Sequence, residues 1–455
     1  MSAKLNLSWY NALCAVSAAC LLVAGCGTNS DVCKTSGGIS VCGEFGRSSY
    51  AVDLGGQAVQ WPPVAVQTGR IVLARGSELI EVRTDGTVSR IADTKQQLST
   101  PSTDESGALY ATGSVGQGGN VLSYNGSTQR WSAPVTGVPA GTPPTLSATT
   151  VYAATSSFTG LNTLWLLERA TGVVVGQRAD ASPAAVLADG SIRYLHTVVG
   201  SAGTLGSGAP VYSEIVAEGA DGKQLWAYPI AAGIVDFAPG PAGETYAVGA
   251  GNHQLVRVSE KGVSEWAFTP PCTDCNVAAA PTVANGQVYF PVWENAVSHP
   301  VDPLYALDAK TGKLAWTFDG FDTKNTSYSP FSSSGSVTDS TRHHPTGRPV
   351  VAADGTLYVS NDGAVAAIDK NGQLLGLALY DASAGEVSWN NSFASPMQTW
   401  INPGVRPSPV LAPDGTLYVW DGVTIRAFAT SHAAISQAWI APFGGPSNAG
   451  RIPGQ

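Results

Sequence analysis

The chain has 455 residues and a formal net charge of −9, with 44% hydrophobic and only 13% charged residues. This hydrophobic share excludes a disordered chain, and an acidic balance without a Lys/Arg cluster excludes nucleic acid as the expected partner. The 52 glycines beside so few charges favour an all-β protein with many turns, outside the cytoplasm, over a protein of long helices.

Residues 1–25 are predicted to be a signal peptide. Lys4 is their only charged residue, and the apolar run that follows it is too short to span a membrane comfortably. The run ends in LLVAGC at 21–26, which resembles the lipobox of bacterial lipoproteins. The resemblance implies cleavage before Cys26 and acylation of that cysteine. The alternatives are an ordinary secretory signal or a retained anchor.

Residues 26–47, rich in Gly, Ser and Thr, are predicted to be the lipidated cysteine and a flexible tether. Beyond Cys26, four cysteines remain, and an even number in an oxidising compartment predicts disulfides: Cys33, Cys42, Cys272 and Cys275. Three connectivities are open, and pairing each cysteine with its sequence neighbour needs the least coincidence. A redox role for the CTDC at 272–275 is the alternative, although prolines precede it where a thiol-activating site would have a helix N-terminus.

Residues 48–445 consist of repeats. One unit is a turn followed by a strand with an aromatic residue, as in GETY at 243–246 and GTLY at 355–358. The other is a hairpin with the frame A-x-D-x-x-T-G-x-x-x-W, complete from Ala306 to Trp316. Four short strands in each of about eight repeats predict an eight-bladed β-propeller of four-stranded antiparallel blades, with residues 446–455 as a C-terminal tail. The alternatives are an open sandwich array or two smaller β domains.

One frame position of the hairpin holds a tryptophan in four repeats: Trp131, Trp226, Trp266 and Trp316. We expect these side chains to fill the space between neighbouring blades, because large aromatics dominate core packing. A row of ligand-stacking rings is the alternative. The ring is predicted to close either through residues 437–440 or through a strand near Val52–Trp61.

This repeat resembles that of the pyrroloquinoline-quinone (PQQ) type propellers over about residues 60–441, most specifically at Ala306–Trp316. With the lipobox and the length of the chain, it resembles the propeller lipoproteins of the outer-membrane β-barrel assembly machine. The resemblance implies a non-catalytic scaffold without a cofactor, bound to the membrane through Cys26. It would bind other envelope proteins as a monomer or as a subunit of a hetero-complex. Gly27 replaces the aspartate associated with inner-membrane retention, which favours the outer membrane.

Two other functions stay open. Quinoprotein dehydrogenases share the repeat and use PQQ with Ca²⁺ beside a bridged pair of adjacent cysteines, and this sequence has no adjacent pair. A carbohydrate- or peptidoglycan-binding propeller is the third possibility, since aromatic residues are abundant in the long loops.

Long insertions at 195–212, 291–303, 319–346 and 380–404 are predicted to share one face of the propeller, where binding would take place. The candidate binding residues are aromatic, basic and amide side chains of these loops: Trp293, His299, Arg342, His343, His344, Trp389, Asn390, Phe393 and Trp400. The alternative is that these aromatics only pack within their own loops. The histidines match no fixed ligand spacing, and no metal site is predicted.

Overall fold

The computed structural model describes residues 33–36, 39–43, 48–53, 64–67 and 70–430, the last range with gaps at 84, 117, 140–141, 157–161, 200–210, 231–233, 250–253, 272–274, 278–279, 295–303, 319–320, 323–341, 344–347, 362–363, 381–408 and 421–423. Its regular structure is entirely β-strand. Among these residues no helix is long and apolar enough to cross a membrane.

The strands form eight antiparallel blades, which confirms the predicted all-β, eight-bladed propeller. The first three strands belong to the last two blades: β1 (Cys33–Ser36), β2 (Ile39–Gly43) and β3 (Ser48–Asp53). Blade 1 contains β4 (Val64–Gln67), β5 (Arg70–Arg75), β6 (Glu78–Arg83) and β7 (Val88–Asp93). Blade 2 contains β8 (Gln97–Leu98), β9 (Ser102–Thr103), β10 (Leu109–Val115), β11 (Gly118–Asn125) and β12 (Thr128–Thr136). Blade 3 contains β13 (Val138–Pro139), β14 (Thr145–Leu146), β15 (Thr150–Ser156), β16 (Asn162–Glu168) and β17 (Val174–Ala179). Blade 4 contains β18 (Ala185–Val186), β19 (Ile192–Val199), β20 (Val211–Glu218) and β21 (Gln224–Ile230).

The second half of the ring has the same plan, with the strands of each blade running from the innermost to the outermost. Blade 5 contains β22 (Ile234–Pro239), β23 (Thr245–Gly249), β24 (Leu255–Val258) and β25 (Ser264–Phe268). Blade 6 contains β26 (Cys275–Val277), β27 (Thr282–Ala284), β28 (Gln287–Glu294), β29 (Leu304–Asp308) and β30 (Leu314–Phe318). A short pair, β31 (Phe321–Asp322) and β32 (Arg342–His343), follows blade 6. Blade 7 contains β33 (Val350–Val351), β34 (Leu357–Asn361), β35 (Ala364–Ile368) and β36 (Leu374–Tyr380). Blade 8 contains β37 (Val410–Leu411), β38 (Thr416–Trp420) and β39 (Thr424–Ala429).

The ring closes through the N-terminal strand β3, which pairs antiparallel with β39 and forms the outermost strand of blade 8. Buried side chains of blades 8 and 1 then form one apolar cluster, in which Val52 and Tyr418 pack with Ile71 and Leu73. Similar clusters join the other blades to their neighbours around the ring. The closing strand thus begins just before the Val52–Trp61 segment expected from the sequence, and the alternative at 437–440 lies outside the described residues.

The structure differs from the sequence expectation of a flexible tether at 26–47. Within that segment, β1 and β2 form a hairpin, and β2 pairs with β36 at the outer edge of blade 7. An added edge strand is held mainly by backbone hydrogen bonds, so a segment poor in large apolar residues can still join a sheet. The hairpin therefore caps the exposed edge of blade 7.

The hairpin at residues 304–318 shows how the sequence frame produces a blade. Asp308 accepts hydrogen bonds from the backbone nitrogen and the hydroxyl of Thr311 at 2.7 Å each. Gly312 has a φ of 68°, a conformation that costs little only for glycine. A β-bulge between Ala306 and Leu307 completes the turn geometry. Short polar side chains and one glycine thus define the tight turn between the third and outermost strands.

The same turn receives a tryptophan from the preceding blade. The indole nitrogen of Trp266 in blade 5 donates to the carbonyl oxygen of Ala309 in blade 6 at 3.2 Å. A Cβ atom added to Gly312 would lie 2.6 Å from the ring of Trp266, so the glycine is needed for this close approach. Three other interfaces repeat the indole hydrogen bond and the glycine contact: Trp131 with Arg169 and Gly172, Trp226 with Glu260 and Gly262, and Trp316 with Lys370 and Gly372.

We predict that Gly312→Ala destabilises the propeller more than Gly286→Ala does. Both glycines have positive φ, 68° and 74°, but no atom lies within 4 Å of a Cβ added at Gly286. The backbone term should cost about 1 kcal/mol in each variant, and displacement of the Trp266 ring should add about 2 kcal/mol in Gly312→Ala alone. Urea unfolding of both variants measures the difference, and equal midpoints would contradict the packing role of the glycine.

The backbone register gives a second prediction. Cys33 in β1 is the direct cross-strand partner of Cys42 in β2. Such partners have Cα separations of about 4.5–5.5 Å, which lies within the range of about 4.4–6.8 Å found for disulfides. We therefore expect Cys33 to be linked to Cys42, and peptide mapping under non-reducing conditions should recover that linked pair. A link from Cys33 to Cys272 or Cys275, or free thiols at both positions, would contradict it.

Candidate functional site

The two faces of the propeller differ in the length of their connections. Turns that join the first to the second strand and the third to the outermost strand lie at one end, which we call the tight-turn face. Connections from the second to the third strand and from blade to blade lie at the other end, the insertion face. The long connections leave at this second face: those after Val199, Glu294, Phe318 and Tyr380. Three of the four lie next to one another in the ring: one within blade 6, one between blades 6 and 7, and one between blades 7 and 8.

Three of the predicted binding residues lie on strands at this face. Trp293 is the penultimate residue of β28, with Asn276 as its cross-strand partner. Arg342 and His343 form β32 in the connection between blades 6 and 7, where they are paired with β31. The other six predicted residues lie outside the described part of the chain: His299, His344, Trp389, Asn390, Phe393 and Trp400. The predicted lipidation site Cys26 and the cysteine at 272 also lie outside it.

An ion pair joins the inner strands of blades 5 and 7 at the insertion face. Nη2 of Arg348, just before β33, lies 3.5 Å from Oδ2 of Asp236 in β22. Nε of Arg348 donates to the carbonyl oxygen of Ala280 in blade 6 at 3.2 Å, and the other oxygen of Asp236 accepts from the backbone of Phe237 at 2.7 Å. One guanidinium therefore links three consecutive blades around the propeller axis.

Burial sets the electrostatics of this pair. The side chain of Arg348 is only 7% exposed and that of Asp236 is 22% exposed. Burial raises the pKa of Asp236 above its ordinary value despite the nearby charge of Arg348. It lowers the pKa of Arg348, against the opposing effect of Asp236. The pair and the hydrogen bond of Arg348 to Ala280 connect the inner strands of blades 5, 6 and 7.

Sequence reasoning did not select these two residues, which are 112 positions apart. The available signal is a charged residue at the start of an apolar inner strand, as in IVDFAP at 234–239 and RPVV at 348–351. Their proximity is a consequence of the circular arrangement, which a linear pattern does not show.

A second polar pair lies near the root of the connection after Val199. Nδ1 of His196 in β19 is 2.9 Å from Oε1 of Glu214 in β20. Within the described residues no group of three or more His, Cys, Asp or Glu side chains is arranged to hold a metal ion. The described side chains of the insertion face thus offer charged hydrogen-bonding groups on a rigid rim.

We predict that Asp236→Asn destabilises the protein by about 3 kcal/mol, because it leaves the buried guanidinium of Arg348 without its carboxylate. This value is at the lower end for buried pairs, since Asp236 keeps part of its surface in solvent. The double variant Asp236→Leu/Arg348→Met should recover much of the loss, because it removes both buried charges. Urea unfolding measures both changes, and an Asp236→Asn variant as stable as the wild type would contradict the prediction.

The tight-turn face has a cavity of about 440 Å³ between blades 2 and 3. Six of its lining residues have polar side chains at the walls: Tyr110, Asn125, Arg130, Thr149, Glu168 and Arg169. At its base Asp104, 7% exposed, accepts hydrogen bonds from the hydroxyl of Tyr110 at 3.0 Å and from Nη2 of Arg169 at 3.1 Å.

The carboxylate of Asp104 organises this cavity. Its other oxygen accepts from the hydroxyl of Ser106 at 2.6 Å and from the backbone nitrogens of Ser106 and Ala108 at 2.9 and 3.0 Å. Burial acts to raise the pKa of Asp104, but these hydrogen bonds, that of Tyr110 and the charge of Arg169 outweigh it and hold the pKa below its ordinary value. Asp104 is therefore an ionised, fully engaged support for the turn and for Arg169.

The comparisons with known proteins agree with the repeat architecture. The family model described as "Outer membrane protein assembly factor BamB", of the PQQ_2 type, matches residues 212–376, from blade 4 to blade 7. The search of curated proteins gave no match. With the eight blades described above, this match makes the chain similar to the PQQ-type β-propellers of the BamB family over residues 212–376, a little over a third of its length.

Two solved structures match most of this chain at low sequence identity. A europium-containing methanol dehydrogenase is 11% identical, with a TM-score of 0.48 over 82% of this chain and 84% of that one. A streptogramin B lyase is 9% identical, with a TM-score of 0.44 over 84% of this chain and 97% of that one.

Proposed function

We propose that the protein is a membrane-anchored lipoprotein of the bacterial cell envelope whose propeller is a non-catalytic, protein-binding scaffold. The observation that carries this proposal is the gathering of long connections on one face of a rigid ring, within and next to the segment that matches the outer membrane assembly factor. A scaffold needs a fixed frame and variable loops, and the described geometry supplies the frame.

The anchor supports an envelope location. LLVAGC at 21–26 has the form of a lipoprotein signal, and acylation of Cys26 with several chains would hold the protein firmly to a membrane. The name of the matched family refers to the outer membrane, and Gly27 after the cysteine agrees with that location. We therefore propose the outer membrane as the site of action and a hetero-complex as the assembly.

The insertion face supplies the proposed contact surface. Trp293 stands at the edge of blade 6, and Arg342 and His343 lie in the next blade-to-blade connection. Aromatic residues and arginine carry much of the binding energy at protein interfaces. The buried Arg348–Asp236 pair below them keeps the three supporting blades in a fixed orientation, which lowers the entropic cost of binding.

Site-specific photo-crosslinking in intact cells tests the proposal. A crosslinking residue at Arg342 should capture envelope proteins, whereas one at Lys310, an exposed residue of the tight-turn face in blade 6, should not. The Cys26→Ser variant, which cannot be acylated, should leave the membrane fraction and lose most of the crosslinks from position 342.

The controls make the outcome decisive. Both crosslinking variants should have the wild-type unfolding midpoint, which shows that neither substitution disturbs the fold. Capture from Lys310 but not from Arg342 would contradict the binding face, and retention of Cys26→Ser in the membrane with unchanged crosslinks would contradict the lipid anchor.

A quinoprotein dehydrogenase is the competing function, and features of the sequence and of the described residues favour the scaffold over it. The sequence has no adjacent cysteine pair to lie beside a quinone. At the insertion face, inner-strand positions of blades 5 and 7 carry Asp236 and Arg348, which are engaged with each other. No acidic cluster suited to Ca²⁺ occurs among the described side chains.

A further inference from the structure

Arg130 differs from most other described arginines in what it contacts. Its Nη1 donates to the hydroxyl of Tyr110 at 2.9 Å and to the hydroxyl of Ser123 at 3.4 Å. In the described part of the chain no carboxylate lies within ion-pair distance of it, whereas Arg70, Arg169 and Arg178 each pair with an acid. Its guanidinium lines the cavity between blades 2 and 3.

Blade 5 contains the equivalent arrangement and shows which group completes it. There Arg257 lies beside the hydroxyl of Tyr246, the counterpart of Tyr110. Arg257 also forms an ion pair with Glu265 on the outermost strand. Glu265 directly precedes Trp266, as Arg130 directly precedes Trp131, and the registers make Arg257 and Ser123 the cross-strand partners of these tryptophans.

Blade 2 has different residues at the two positions that Arg257 and Glu265 occupy in blade 5. On the third strand, Ser123 stands where blade 5 has Arg257. On the outermost strand, Arg130 stands where blade 5 has Glu265. The arginine still reaches the tyrosine hydroxyl, but the carboxylate that accompanies it in blade 5 has no replacement in blade 2. What lies beside Arg130 is a cavity of about 440 Å³ with the amide of Asn125 and the hydroxyl of Thr149 on its walls.

We propose that this cavity binds a carboxylate side chain from an acidic segment of a partner protein, which takes the place that Glu265 has in blade 5. Arginine is suited to such a ligand because its planar guanidinium donates two parallel hydrogen bonds to a carboxylate. Asn125 and Thr149 supply further donors at the rim. The site is on the tight-turn face, and it requires neither the lipid anchor nor the insertion face.

Two carboxylates line the cavity; Asp104 at its base is paired with Arg169, whereas Glu168 opposes the ligand and provides a test in the other direction. Glu168 lines the same cavity, and its carboxylate is engaged by the hydroxyl of Thr171. Removal of this negative charge should strengthen the binding of an acidic ligand, whereas removal of the Arg130 charge should weaken it. A merely structural role for the two residues does not produce opposite effects on affinity.

Fluorescence anisotropy with the full-length protein in detergent measures this effect. The probe is a labelled, amidated peptide of alternating Gly, Ser, Glu and Asp, and its control has Gln and Asn at the acidic positions. The acidic peptide should bind at least about tenfold more tightly than the control, because a charge-assisted pair is made only by the former. Arg130→Gln should abolish the difference, and Glu168→Gln should increase it.

Arg90→Gln is the matched control, because Arg90 is an exposed outer-strand arginine that already pairs with Glu78. It should bind the acidic peptide as the wild type does, and all variants should keep the wild-type unfolding midpoint. Equal binding of the two peptides by the wild type would overturn the proposal. So would an unchanged preference in Arg130→Gln, or loss of that preference in Arg90→Gln as well. Because the assay uses no insertion-face residue, its failure would leave the scaffold proposal to its own crosslinking test.

Discussion

The contact of a tryptophan with the turn glycine of the next blade is the constraint on which the ring depends. At Gly312 one residue meets two demands, since the turn requires a positive φ and the ring of Trp266 leaves no room for a Cβ atom. The indole hydrogen bond to the same turn fixes the orientation of the two blades. Local turn chemistry and packing between blades thus require the same glycine, which explains why this hairpin is the clearest repeat in the sequence.

The interface between blades 3 and 4 shows that a side chain from another position can cover the turn glycine where the tryptophan is absent. Blade 3 has Gly176 at the tryptophan position, and Arg178 reaches across instead, with Nε and Nη2 each 2.8 Å from the carboxylate of Glu218. Its guanidinium lies 3.7 Å from a Cβ built at Gly222, the turn glycine that would otherwise face a tryptophan. The planar guanidinium of Arg178 thus lies near the turn glycine of blade 4, where other interfaces have the planar ring of a tryptophan.

Whether a feature could be predicted from the sequence depends on how far apart in the chain its interacting residues lie. The fold was predictable because turn glycines, aromatic strands and tryptophans recur at a fixed spacing, as in Ala306–Trp316. The hairpin at 33–43 was not predictable, because a strand added to a sheet edge is held mainly by backbone hydrogen bonds and needs no particular side chains. The Arg348–Asp236 pair was not predictable either, since the two residues come together only when the blades form a ring. Of the predicted binding surface, the structure describes the strand positions of Trp293, Arg342 and His343 and leaves the rest a prediction.

The tryptophan contact also explains why the two faces differ. Each turn between the third and outermost strands that receives a tryptophan must keep its length, because an insertion there would displace the glycine from the ring. Among the described residues no connection at the opposite face receives a tryptophan in this way, so we expect those connections to lengthen without disturbing the blades. New binding surfaces can therefore arise by insertion at one face, whereas at the other they arise only by exchange of side chains on a fixed frame. Blade 2 shows such an exchange of side chains: it has Ser123 and Arg130 where blade 5 has the ion pair of Arg257 and Glu265.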